Sequence, residues 1–250
     1  MDLERLWAST YHPVNRVVWD TVGDLRGRDV LLVGNGTSQK ELHFLSRAPR
    51  RLVFSDYSLE AVEAVRRLDV AGPIVFAAID AMRLPFPDEG LDLVYGYAAV
   101  HHLADPAAFL REAARVLRPG GRAVFMDNRR SPVYQRAKLT VLAPLMRYYH
   151  RRGEVSPEDM RATLSGWHNE EELATMLAPL DVLPFFHRSL LVHYLATRAS
   201  ERLPPRRLWE VFRGSERMQL ALVRLDERLG RFAPVRANQI RLVWGFHKPV

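Results

Sequence analysis

Gly34-Asn35-Gly36 follows a short apolar run, DVLLVG over 29–34, and precedes a segment with helical spacing. Glycines at such a turn let a ligand approach the backbone closely, and the free N–H groups of a following helix favour negative or polar ligand atoms. Twenty residues beyond Gly36, Asp56 ends a second apolar run, RLVFSD. A carboxylate there can accept hydrogen bonds from both hydroxyls of a ribose, and it can equally cap the next helix together with Ser58. Asp80 ends a third run and is followed by Met82. That pairing suits an adenine, with the acid accepting from its amino group and the thioether packed on its ring. Tyr97 and Ala98 leave a fourth run, where the open end of a parallel sheet meets its ligand.

Other side chains could act on a second reactant. His101 and His102 follow the fourth run and are the obvious general-base candidates. His101 is expected nearer the pocket and His102 buried and structural. Tyr11 and His12 in the N-terminal segment, and His150, His168 and Glu170 further on, are further candidates, each more commonly a surface or core residue. Arg129 and Arg130 follow the fifth run, where guanidinium groups could grip a carboxylate or phosphate. Tyr134, Tyr148, Tyr149 and Trp167 could line a hydrophobic acceptor site or simply fill a core.

The elements that would hold these residues alternate regularly. Strands are expected at 29–34, 51–56, 73–79, 91–97 and 122–127. Helices are expected at 38–46, at 58–68 with Ser58 as cap, and at 106–117 opened by Pro106. Strand–helix–strand alternation at this spacing implies a parallel sheet covered on both faces. Beyond 128 the pattern loosens. A helical insertion rich in aromatics and arginine spans 131–152, a helix covers 169–177 and a strand lies near 182–187. A long amphipathic helix is expected over 204–229, and an alternating strand over 239–247 closes the chain.

Composition narrows the functional classes. The 250 residues contain no cysteine, which excludes disulfides, thiolate catalysis and Cys-based zinc sites, and fits a reducing cytoplasm. No metal-ligand set stands out. The charged N-terminus has no apolar core of the kind a signal peptide needs, and no apolar run approaches the ~18 residues of a membrane span. The net charge of +7 is uneven. Residues 1–128 carry 15 basic and 17 acidic side chains, residues 129–250 carry 21 and 12. Only Lys40, Lys138 and Lys248 are lysines, so the excess is arginine. Such a half could attract anions, yet it has no aromatic-basic nucleic-acid module, and solvated helix faces account for it as well.

Taken together, VLLVGNGTS, VFSDYS, IDAMRLPFPDEGLDLVYGYAAVHHLADP and LREAARVLRPGGRAVFMD resemble the class I S-adenosylmethionine-dependent methyltransferase family. The likeness is to its ubiquinone/menaquinone-pathway and natural-product branch, and it is strong over about 100 residues. It implies an α/β fold, a Rossmann-like seven-stranded mostly parallel sheet whose last strand alone is antiparallel, with an inserted helical substrate cap. One domain is then expected: N-terminal lid helices over 1–28, a cofactor core over 29–128, cap insertions at 129–168 and 188–236, and a closing strand over 237–248. The resemblance carries cofactor contacts onto Gly34, Asn35, Gly36, Asp56, Tyr57, Asp80, Ala81, Met82 and Tyr97. It carries substrate contacts onto His12, Arg129, Arg130, Tyr134, Tyr149 and Trp167, and proton handling onto His101, Tyr11 or Glu170. It implies methyl transfer to O, N or C of a small hydrophobic or anionic metabolite, with S-adenosylhomocysteine as product, no nucleic-acid partner, and room for a homodimer. An RNA or protein methyltransferase, and a non-methylating cyclase or binding protein on the same fold, stand as alternatives. The chain departs from the family pattern twice. Leu32 stands where the family has an acid two residues before the first glycine, and Ser38 stands in place of the third glycine.

Overall fold

In a computed structural model, residues 17–137, 143–157, 160–161, 164, 167–189 and 216–250 are described. Seven strands, β1 (Asp29–Val33), β2 (Arg51–Asp56), β3 (Ile74–Ala78), β4 (Leu91–Tyr97), β5 (Leu117–Asn128), β6 (Leu183–Ser189) and β7 (Arg241–His247), form one sheet in the order β3-β2-β1-β4-β5-β7-β6. The first five pair in parallel, and β7 runs antiparallel to both of its neighbours. This is the Rossmann-like arrangement expected from the alternation of elements. β1 is apolar and buried at every position, as a strand covered on both faces must be.

The chain runs outward from β1 to β3, then returns across the sheet to place β4 on the other side of β1. Helical crossovers flank the β1/β4 junction, so a crevice opens outside the carboxyl ends of those two strands. Side chains alternate between two apolar layers. Leu31, Val33, Val94 and Phe125 pack under Phe109, Leu110, Leu173 and Leu177, whereas Val30, Leu32, Tyr95 and Met126 pack under Val18, Val22, Leu42 and Phe44.

Local signals set the helix starts. α1 (Leu59–Arg66) is capped by Ser58, whose hydroxyl accepts from the Ala61 amide at 3.2 Å. α2 (Pro106–Val116) begins at Pro106, behind Asp105, which accepts from Ala108 at 2.9 Å. α3 (Pro132–Ala137) and α4 (Ala143–Arg151) divide the helical insertion expected over 131–152. α5 (Glu170–Leu177) opens with a reciprocal capping box between Asn169 and Glu172.

Two elements differ from expectation. The helix predicted at 38–46 is a 3-10 helix, Lys40–Arg47, closed by Ala48 in a left-handed conformation. β5 begins at Leu117 instead of 122, because the Pro-Gly-Gly stretch stays beside β4 through a register shift between Leu91 and Leu93. The long C-terminal helix is described as α6 (Glu216–Leu229), followed by a short α7 (Ala233–Asn238). Residues 204–215 lie outside the described residues, and so do Tyr11 and His12. Among the described residues no helix is long and apolar enough to cross a membrane.

Candidate functional site

The crevice at the β1/β4 junction is a cleft of about 770 Å³, within the size range of small-molecule sites. All nine residues expected to meet a cofactor line it: Gly34, Asn35, Gly36, Asp56, Tyr57, Asp80, Ala81, Met82 and Tyr97. The glycine turn is its floor. Gly34 has φ +64°, and a Cβ there would lie 2.7 Å from the Ala99 Cβ, so a side chain is excluded by both conformation and space. The Asn35 amide group donates to the Ser55 carbonyl at 3.0 Å. Its Oδ1 is buried without a hydrogen-bond partner among the described residues.

Asp56, at the end of β2, pins that turn. One carboxylate oxygen accepts from the Gly36 amide at 2.7 Å and the other from the Ser58 amide at 2.9 Å. The two roles weighed for this acid, ligand contact and help in starting α1, are therefore compatible: each oxygen keeps a second lone pair for a donor in the cleft. Asp80 accepts from the Met82 amide at 2.9 Å through Oδ1 and is exposed to the cleft. Tyr57 stands 80% exposed on the rim of the cleft.

The two histidines after β4 sit the other way round from expectation. His102 lines the cleft, whereas His101 is buried, its Nδ1 2.7 Å from an Asp127 carboxylate oxygen. The second oxygen of Asp127 accepts from Trp244 Nε1 at 3.3 Å. The two imidazole rings remain in contact, 4.3 Å between centroids. The single 3-10 turn Val100–His102 sends neighbouring side chains about 120° apart, so one enters the core and one the cleft.

Of the residues expected to contact substrate, His12 lies outside the described residues, and Arg129, Arg130, Tyr134, Tyr149 and Trp167 do not line this cleft. Arg129 is 7% exposed and fully engaged: it donates to Glu170 at 2.7 Å and to the carbonyls of Ala237 at 2.8 Å and Gln239 at 3.3 Å. Arg130 pairs with Glu172. Glu170 is bound by Arg188 as well as Arg129, and these guanidinium groups hold its carboxyl below the usual range against the opposing effect of burial. A carboxylate so held is a poor proton acceptor. Tyr134 stacks on Trp167 at 4.0 Å and packs with Ile240 in a separate small cluster. Tyr149 meets Tyr148 edge-on. His168 is half-buried behind the cleft beside Asp127, and burial lowers its pKa.

One cleft residue had no signal in the sequence. Arg161, in the segment between α4 and α5, lines the cleft and donates to the His102 carbonyl at 2.5 Å and the Leu103 carbonyl at 3.2 Å. It is an exposed cation at the mouth, opposite the acids. By strand order, Asp56 and Asp80 lie on the β2/β3 side, while His102, Leu103, Ala104 and Arg161 lie on the β4 side.

This arrangement fits S-adenosylmethionine. A glycine turn that a Cβ would block, a buried amide oxygen without a donor, two acids and an exposed aromatic ring match the polar and planar parts of an adenosine.

The comparisons agree. A family model described as "Methyltransferase domain" matches residues 31–125. The chain is 34% identical over 99 residues to 27-O-demethylrifamycin SV methyltransferase of Amycolatopsis mediterranei, covering 40% of this chain and 30% of that protein. It is 28% identical over 189 residues to a ubiquinone/menaquinone biosynthesis C-methyltransferase of Paracoccus denitrificans, covering 70% and 71%. The chain thus spans under a third of the first relative and over two thirds of the second. In fold it resembles the YcgJ protein of Bacillus subtilis, with a TM-score of 0.61 at 17% identity over 96% of this chain and 99% of that one. Over residues 31–125 the chain thus carries a segment that matches the methyltransferase-domain family, and its likeness to curated methyltransferases includes that segment.

Proposed function

We propose that the chain transfers the methyl group of S-adenosylmethionine to a small-molecule acceptor that enters beside His102 and Arg161. The observation that carries this is the two-sided cleft, with acids and an exposed ring on one side and an imidazole, small apolar residues and a guanidinium on the other. A bound sulfonium supplies an already activated methyl group, so the protein's task is positioning in a site shielded from water. Asp56 and the glycine turn would fix the ribose, Asp80 and Met82 the adenine, and Tyr57 would close over its ring.

On the other side, Ala98, Ala99, Leu103 and Ala104 offer small apolar walls to the acceptor. His102 is the titratable group placed to take a proton from an acceptor that must lose one. Arg161 offers a positive charge to an acceptor carrying a carboxylate or phosphate. Arg129, Arg130, Arg152 and Arg188 of the basic half are each paired with a carboxylate, which leaves less positive charge open to a polymeric nucleic acid.

The test is titration calorimetry with S-adenosylmethionine, followed by mass spectrometry of phenols, carboxylates and quinols incubated with cofactor and protein. Saturable binding and an acceptor heavier by one methylene are expected. Absence of cofactor binding up to millimolar concentration would overturn the proposal.

A further inference from the structure

Part of the basic second half has no carboxylate to hold it. Over 216–236, α6, α7 and the turn between them carry Arg217, Arg224, Arg228, Arg231 and Arg236 against three acids, Glu216, Asp226 and Glu227. All five arginines are exposed, and among the described residues none of them is ion-paired. They differ in this from Arg129, Arg130, Arg152 and Arg188.

Their spacing gives them a common direction. Seven residues are nearly two turns of α-helix and four are a little over one, so Arg217, Arg224 and Arg228 stand within about 40° of arc. Asp226, on the opposite side of α6, is buried, which turns the arginine face to solvent. Met218 and Leu225, seven residues apart, lie along one flank of that face. Phe232 follows just past the end of the helix, and Val133 of α3 is tied through its amide to Asn238 Oδ1 of α7 at 3.0 Å. These four apolar side chains are between 41% and 63% exposed.

Charge alone would mark a solvated face. Guanidinium groups in a row beside uncovered aliphatic and aromatic side chains are the pattern of a helix that lies on a charged lipid surface. α6 is about 20 Å long, so its arginines present a field spread along a line and not a pocket for one anion. A layer of anionic headgroups matches that line, and the acyl region just beneath it accepts Met218, Leu225 and Phe232. A polynucleotide repeats its anionic groups too, but Met218 and Leu225 offer bases no flat ring to stack on. We infer that α6 and the turn into α7 form a peripheral docking surface for an anionic lipid bilayer. The contact is with one leaflet, since the 14 residues of α6 are too few to cross. None of these residues lines the cleft, so docking and cofactor binding are separable.

Vesicle flotation tests this with the full chain. The protein is expected to float with vesicles of phosphatidylcholine and phosphatidylglycerol, and to stay behind with phosphatidylcholine alone. Salt at about 1 M, which shortens the screening length to about 3 Å, is expected to release it. The combined variant Arg217→Gln, Arg224→Gln, Arg228→Gln is expected to partition at least about tenfold more weakly, and Leu225→Asn with Phe232→Ser at least about threefold more weakly. Both variants are expected to melt within about 2 °C of the wild type, as exposed substitutions do. Equal flotation with the two kinds of vesicle, or unchanged flotation of either variant, would overturn the inference. So would retention on RNA, or a dimer that the variants dissociate, in a chain that does not float.

Discussion

At the scale of single residues, Asp56 joins two elements that must move together for the cleft to keep its shape. Its carboxylate ties the Gly36 amide in the turn after β1 to the Ser58 amide at the start of α1. Asp56→Ala would remove both ties along with the proposed ribose contacts. S-adenosylhomocysteine is expected to bind at least about tenfold more weakly, roughly 1.4 kcal/mol, because charge-assisted bonds at part-buried sites are worth that or more. Calorimetry on the purified variant checks it, and an unchanged dissociation constant would move the cofactor elsewhere. That Asp56 and its neighbours share one cleft was legible in the sequence because they stand at strand ends, where the period of the elements dictates position. The histidine pair was not. Whether His101 or His102 faces the cleft depends on the phase of a three-residue 3-10 turn, which no periodicity reveals.

At the scale of elements, the arginines after β5 serve the architecture. Arg129 sends donors into α5 through Glu170 and into the segment before β7 through the Ala237 and Gln239 carbonyls, while Arg188 of β6 grips the same glutamate. One side chain thus joins the ends of β5, α5, α7 and the antiparallel edge. Arg129→Met keeps much of the volume but orphans two carbonyls and half of the Glu170 pairing. A loss of about 3 kcal/mol is expected, from roughly 1–3 kcal/mol per buried group left without a partner, which corresponds to a melting point lower by about 6–12 °C for a chain of this size. Thermal unfolding by circular dichroism measures it. A drop under about 2 °C would mean that water satisfies those carbonyls. The sequence placed these arginines after β5 and made them substrate contacts, because a guanidinium beside a crevice looks the same whether it meets a ligand or a carboxylate of its own chain. The difference lies in α5 and β6 folding back onto it, a long-range event with no local signature.

At the scale of the molecule, charge and burial make the acid side the weak side. The chain already carries +7 and adds charge as its nine histidines protonate. His43 makes a specific contribution. It is packed against Trp19 and Phe44 with its Nδ1 bonded to the Lys40 carbonyl, and burial holds its pKa down to about 4. In the unfolded chain the same ring titrates near its ordinary 6.5, so on acidification the unfolded state takes up the proton first. Stability from this group is therefore complete above about pH 6.5 and drains away as the pH falls toward 4, by roughly 3 kcal/mol in all. Burial lowers His168 and His247 as well, and both push in the same direction. Asp29, lowered by Arg50 and Arg118 against its burial, and Glu170 extend the loss further down. Glu41 works the other way, since its cost is relieved on protonation. The histidines act at higher pH than any carboxylate, so they set the onset. Urea midpoints measured from pH 8 to pH 4 are expected to be flat to about 6.5 and then to fall. In His43→Gln the fall should be shallower over that window by close to one proton, even though the variant begins from a lower plateau. An identical slope in the variant would show that the other buried groups carry the acid sensitivity.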